Sequence, residues 1–141
     1  MNANITPETM VQPVLAALQP APAALQLAGL FKALSQPVRI EILLAIGSGE
    51  ACVCHLEAAL GQRQAYISQH LMALREAGLL EARRDGRFIY YRLAGGRLLP
   101  LIHAAAELLE FHPGALPAIS GALPTGCECP HCAPDLNEQG A

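Results

Sequence analysis

The residues of this 141-residue chain best equipped for chemistry are its five cysteines, and they fall in two tight groups. Cys52 and Cys54 stand one residue apart in ACVCHL, while Cys127, Cys129 and Cys132 crowd into CECPHC together with His131. Three thiols and an imidazole within six residues make a dense ligand set for a soft or borderline ion. The bland alternative, unrelated thiols in a disordered end, requires the clustering to be accidental. An odd count in two clusters is not the scattered spacing of a disulfide framework, which points to a reducing, cytoplasmic compartment.

These groups need elements to position them. A chain of this length with 52% hydrophobic residues suits one domain with an ample core. Residues 1–22 read as an N-terminal arm, because four prolines leave room for at most a short helical turn around Val14 to Leu18. No basic residue precedes Lys32, so the start lacks the charged head of a signal peptide, and prolines interrupt the apolar run, so no membrane span is expected. Residues 23–112 carry the helical pattern of one domain. Leu27, Leu30, Phe31 and Leu34 recur at helical spacing, Ser35-Gln36-Pro37 separates a second helix bearing Val38, Ile42, Leu43 and Ile46, and Gly47 and Gly49 close it. Cys52 then falls near the start of a third helix ending at Leu60-Gly61.

The fourth helix places Ile67, Leu71, Leu74 and Gly78 on one line. Its other face offers Gln62, if the helix starts that early, Ala65, Tyr66 and Gln69, with Ser68 at the flank, which is chemistry suited to base edges and phosphates in a major groove; Arg63 and Gln64 beside them complete the candidate DNA-binding set. A solvated polar face would look similar. What favours nucleic acid is the sequel, LLEARRDGRFIYYRLA, which predicts two strands around Asp85-Gly86 with Arg83, Arg84 and Arg87 at or near the tip. His70 lies nearer the apolar line and reads as a packed, hydrogen-bonded histidine. The formal charge of −3 gives no global sign of a polyanionic partner, yet seven of nine basic residues fall between Arg63 and Arg97 against three acids. The fold class expected is mainly α with a small β-hairpin wing, a winged helix-turn-helix.

A fifth helix from Leu98 to Phe111 has a broad apolar face, the kind that supports two-fold dimerisation and spaces two reading helices about one DNA turn apart. His103, Glu107 and His112 form a weaker second set of ligand types in irregular spacing. Residues 113–141 turn to Pro, Gly and Ala and read as a flexible, cysteine-rich tail. No hydrolytic triad, phosphate-cradling glycine loop or paired-carboxylate arrangement argues for an enzyme.

The order of these elements resembles the ArsR/SmtB family of metal-sensing winged-helix repressors over roughly Leu25 to Phe111. LFKALSQPVRIEILLAI looks like the family's first two helices, EACVCHL like its ELCVCDL box, and Ser68-Gln69-His70-Leu71 like the S-x-H-L segment of its recognition helix. The resemblance implies a cytoplasmic homodimeric repressor on double-stranded operator DNA, an inverted repeat, released when Cys52 and Cys54 bind As(III), Cd(II) or Pb(II), with Hg(II) or Zn(II) ranked lower. Two departures stand out. Arsenic-sensing members have a third cysteine three residues after the second, where this chain has Glu57, and cadmium and lead sensors draw further cysteines from an arm that here has none.

The tail is the candidate to complete the site, since the residues between Phe111 and Cys127 can span about 50 Å when extended. Positions i and i+2 of a regular helix point about 200° apart, so one ion taking both Cys52 and Cys54 is expected to unwind the start of the third helix. A helix start would also favour the thiolate ligand. Two other readings stay open: a thiol-based redox-sensing repressor, and a winged-helix protein with a structural or storage zinc site.

Overall fold

The computed structural model describes residues 21–112, 114–116, 127, 129 and 130. The expected helical turn at Val14 to Leu18, most of the arm and tail, His131 and Cys132 lie outside the described residues. Five helices and three strands follow one another as α1 (Pro22–Leu34), α2 (Pro37–Ile46), β1 (Ala51–Cys52), α3 (Val53–Leu60), α4 (Gln64–Glu76), β2 (Leu80–Asp85), β3 (Phe88–Leu93) and α5 (Leu98–Leu108). Among the described residues the chain divides after Lys32 into two compact units. In the first, α1 leaves Leu25, Leu27 and Phe31 exposed.

In the second unit, local chemistry sets the boundaries. Gln36 is extended (φ −92°, ψ 122°), as a residue before proline must be, and Pro37 opens α2. Gly61 ends α3 in the left-handed conformation (φ 62°), a region where a Cβ is penalised. Arg63 caps α4 in extended conformation, so the reading helix begins at Gln64, and Gln62 and Arg63 belong to the turn before it. Ile42, Leu43, Leu56, Ile67, Leu71 and Leu74 are fully buried, which bears out the apolar pattern read for α2 and α4 and places the core where α2, α3 and α4 meet.

The wing is a two-residue hairpin, with Asp85 opposite Phe88 and Gly86-Arg87 between them. Gly86 takes φ +59° and Arg87 does not share a positive φ, the pattern of a type II′ turn whose twist suits the flanking strands. The sheet has a third member that the sequence pattern did not indicate: β1 pairs antiparallel with β3, Ala51 opposite Tyr91 and Cys52 opposite Tyr90, giving the order β1-β3-β2. Directly paired residues share a face. Leu80 and Ala51 are buried on one face, whereas Cys52, Tyr90 and Arg83 belong to the other.

α5 is shorter than its apolar run suggests. It stops at Leu108, because Leu109 caps it and Glu110 turns to φ 56°, so Phe111 lies beyond the helix and not within it. Leu108, Leu109 and Phe111 are exposed, while Leu98 and Ile102 are buried.

Candidate metal centre and nucleic-acid interface

Cys52 ends β1 and caps α3, and this double position decides what its sulfur can do. Its backbone is extended (φ −84°, ψ 166°), and its Sγ accepts the His55 amide at 3.4 Å. The expectation that one ion must unwind the helix to reach both cysteines is therefore corrected. Cys52 is not helical, and its Sγ already lies 3.0 Å from that of Cys54 in the first turn of α3. Exposed amides at the helix start favour negative charge on that sulfur.

The second cysteine group reaches the first. Cys127 Sγ lies 3.4 Å and Cys129 Sγ 3.3 Å from Cys52 Sγ, and the four sulfurs of Cys52, Cys54, Cys127 and Cys129 all fall within 4.8 Å of one another. Cys54 and Cys127 are joined as a disulfide, with Cα atoms 5.7 Å apart, while Cys52 and Cys129 remain outside it. Sequence spacing had argued against disulfides; the pairing arises because the fold superposes two groups separated by 73 residues. Once reduced, four sulfurs in this volume fit a soft ion, since a tetrahedral tetrathiolate with bonds of about 2.3 Å has sulfurs about 3.8 Å apart. Among the described residues this is the one group of three or more potential ligands; His103, Glu107 and His112 are not brought together in such a group.

Tyr90 closes the cluster. It is 1% exposed and packs with Cys52, Cys127 and Cys129, with Phe88 and Cys54 at the margin. Burial, with the charge of the neighbouring cysteines behind it, pushes the Tyr90 phenol up to about 12, so it stays protonated at neutral pH. On the opposite strand, Arg83 lies over the Tyr90 ring at 4.8 Å. Arg83 also grips Glu50 through Nε to Oε1 at 3.1 Å and Nη2 to Oε2 at 2.8 Å. Arg83 is therefore engaged by a carboxylate two residues before Cys52, while Asp85 at the turn lies 3.7 Å from the same guanidinium. Arg84 is exposed, and Arg87 sits in the turn over the Phe88 ring at 5.1 Å.

On α4, Ala65, Tyr66 and Gln69 are exposed on the side away from Ile67, Leu71 and Leu74, Gln64 is exposed at the helix start, and Ser68 is half-buried at the flank. His70 is held as expected for a packed histidine. Arg39 Nε donates to its Nδ1 at 3.2 Å, which fixes the tautomer with the proton on Nε2, and Tyr66 meets its ring edge-on at 4.7 Å. Partial burial, then the Arg39 charge, lower the His70 pKa. Arg39 in turn donates to the Ala33 carbonyl at 2.9 Å, so α2 anchors the reading helix. Glu50, Tyr90 and Arg39 were missed by sequence reasoning. Tyr90 stands directly opposite Arg83 because the turn is Gly86-Arg87, one residue on from the Asp85-Gly86 pair that the sequence singles out.

A three-stranded winged helix with an exposed polar helix face defines the class, a winged helix-turn-helix. The model of the arsR family of bacterial regulatory proteins matches residues 36–82. The chain is 36% identical over 100 residues to a Synechocystis protein named as a transcriptional repressor SmtB homolog, covering 71% of this chain and 74% of that one. It is 48% identical over 66 residues to the arsenical resistance operon repressor of Escherichia coli, covering 46% of this chain and 56% of that one, little more than half its length. The solution structure of a homodimeric winged helix-turn-helix DNA-binding domain from Mycobacterium bovis superposes with a TM-score of 0.58 at 36% identity, covering 67% of this chain and 91% of that one. The chain belongs to the ArsR family.

Proposed function

We propose that this protein is a transcriptional repressor that binds operator DNA as a homodimer and releases it when a soft metal or metalloid binds its cysteines. The observation that carries the reading is the convergence of Cys52 and Cys54 with Cys127 and Cys129 in one cluster on the wing's sheet. An all-sulfur set favours As(III), Cd(II) or Pb(II), with Hg(II) and Zn(II) ranked lower. Cys132 would supply a further thiol from the tail. His103, Glu107 and His112 remain a subordinate proposal.

On this reading, residues 1–22 are an arm, 23–112 the DNA-binding and dimerisation domain, and 113–141 a tail that delivers ligands. Gln64, Ala65, Tyr66, Ser68 and Gln69 meet base edges or phosphates in the major groove, Gln62 and Arg63 flank them at the helix start, and Arg84 and Arg87 meet backbone from the wing, with Arg83 in reserve. Leu108, Leu109 and Phe111 would be covered by a second copy, since so large an exposed apolar set marks an interface. A two-fold dimer then matches an inverted repeat. Among the described residues no helix is long and apolar enough to cross a membrane, and the protein acts in the cytoplasm as a regulator without enzymatic chemistry.

The route from ion to DNA has two branches. Cys52 opens α3, which hands over to α4 through residues 61–63, and Cys52 also pairs with Tyr90 on the wing. Titrating the fully reduced protein on its own upstream DNA with each ion at fixed salt tests the reading. The wild type should dissociate, and Cys52→Ser should remain bound; normal release of Cys52→Ser removes the sensing role.

A second reading is favoured by one observation, the Cys54–Cys127 disulfide. Oxidation and ion binding compete for the same sulfurs, so the protein would also sense oxidants. Loss of operator binding on oxidation without any ion, reversed by a dithiol, would establish it.

A further inference from the structure

We propose that Met72 is a specificity-determining residue of the reading helix, whose side chain packs on the methyl group of a thymine in the major groove. The assignment rests on reading α4 as the DNA-contacting helix, and it adds to that helix a base contact beyond Gln64, Ala65, Tyr66, Ser68 and Gln69.

α4 carries two lines of side chains on opposite sides. Ile67, Leu71 and Leu74 are fully buried along one of them. The residues two positions before each, Ala65, Gln69 and Met72, lie about 200° away at 3.6 residues per turn, and all three are exposed. Met72 is the most open of the large apolar side chains on this helix, with 63% of its surface exposed. Tyr66 is covered further, to 43%, and its ring meets His70 edge-on at 4.7 Å. A single exposed methionine is ordinary on a protein surface, so its place on the helix decides what it is for.

That place is the centre of the outward line, one turn beyond Gln69. Three residues of helix advance about 4.5 Å, a little over the 3.4 Å step between base pairs, so Gln69 and Met72 address neighbouring pairs. Glu76 follows on the same line and is exposed. Its carboxylate is repelled by phosphates, which makes Met72 the last side chain of the line that can enter the groove. The apolar feature that a base edge presents there is the thymine methyl, and the partner for a glutamine amide is adenine. An amide beside an apolar side chain thus fits two successive A·T pairs. Methionine suits the contact because it is unbranched and polarisable and moulds to a small apolar target.

The test uses the full-length, reduced, ion-free protein on its own upstream DNA, read by fluorescence anisotropy at fixed salt. Each thymine of the bound stretch is replaced in turn by deoxyuridine, which removes the methyl and keeps the hydrogen bonds. For the wild type, one replacement or its two-fold mate should weaken binding about fourfold, the share of one buried methyl group. In Met72→Ala the same replacement should cost nothing, while the affinity for an unrelated duplex stays as it was. Met72→Ala should also bind the unmodified DNA no more tightly than the wild type binds the replaced one. Met72→Leu, which keeps an apolar body of similar size, should restore the penalty. Circular dichroism and thermal midpoint should match the wild type in both variants. A wild type indifferent to every replacement, or penalties that are identical in Met72→Ala, overturn the assignment. So does a Met72→Ala dimer that dissociates more readily in sedimentation, which would give the side chain to a second copy. A wild type that binds its upstream DNA no better than an unrelated duplex overturns the DNA reading itself, and the assignment with it.

Discussion

Glu50→Gln should tighten operator binding, although Glu50 lies on no surface assigned to DNA. In the structure the Glu50 carboxylate takes both Nε and Nη2 of Arg83, and Asp85 approaches the same guanidinium at 3.7 Å. An arginine so engaged must leave its partner before it can reach a phosphate. The pair is open to solvent, with side-chain exposures of 46% and 20%, so the penalty for leaving is small. Removing it should raise operator affinity about two- to fivefold at low salt, the range that weak exposed ion pairs allow. If Arg83 then gains a phosphate, the log–log salt dependence should steepen by about 0.9. Fluorescence anisotropy of the upstream DNA fragment across a salt series reads both quantities. The control is Glu50→Gln with Arg83→Gln, which should cancel the gain. Unchanged affinity and slope in Glu50→Gln would refute the reasoning, and so would a gain that survives loss of Arg83, which would reduce the effect to the deleted charge.

Two further outcomes follow from the core and from His70. Leu71 is fully buried on the inner line of α4, so Leu71→Ala should cost about 2–5 kcal/mol of stability in chemical denaturation. The His70 pKa is lowered by burial and by Arg39, so the folded state favours the neutral ring; that stabilisation is fully present above the unfolded value of 6.5 and is lost as pH falls through the depressed folded value. Denaturation midpoints should therefore decline below about pH 6.5 and His70→Gln should flatten part of the decline, with His55, lowered by its own burial, accounting for the remainder.

The sequence disclosed the helices better than the site. Pro37, Gly47 and Gly61 are strong local signals, and the bounds of α2 and α3 follow from them. The reading helix was legible because Ile67, Leu71 and Leu74 repeat on a face that is in fact fully buried. A two-residue strand has no period to detect, so β1 was invisible, and with it the extended backbone of Cys52 that lets two sulfurs meet without unwinding a helix. The Glu50 partner of Arg83 was hidden for a related reason. Alternation along β2 puts Arg83 on a face, but which face holds Glu50 depends on a register that only the third strand establishes. The union of the two cysteine groups was expected from ligand number, whereas the pairing of Cys54 with Cys127 depends on where the chain returns.

The brevity of β1 has a consequence for how quickly such a protein can answer. Only two residue pairs hold Cys52 to the wing, and a shift of one residue would put Ala51 in its place and turn the sulfur toward the core. A joint that small can open and close without disturbing the fully buried residues of α2, α3 and α4. Response time would then be governed by the fraying of one short ladder, far faster than global unfolding, while the global stability of the domain stays free to be high.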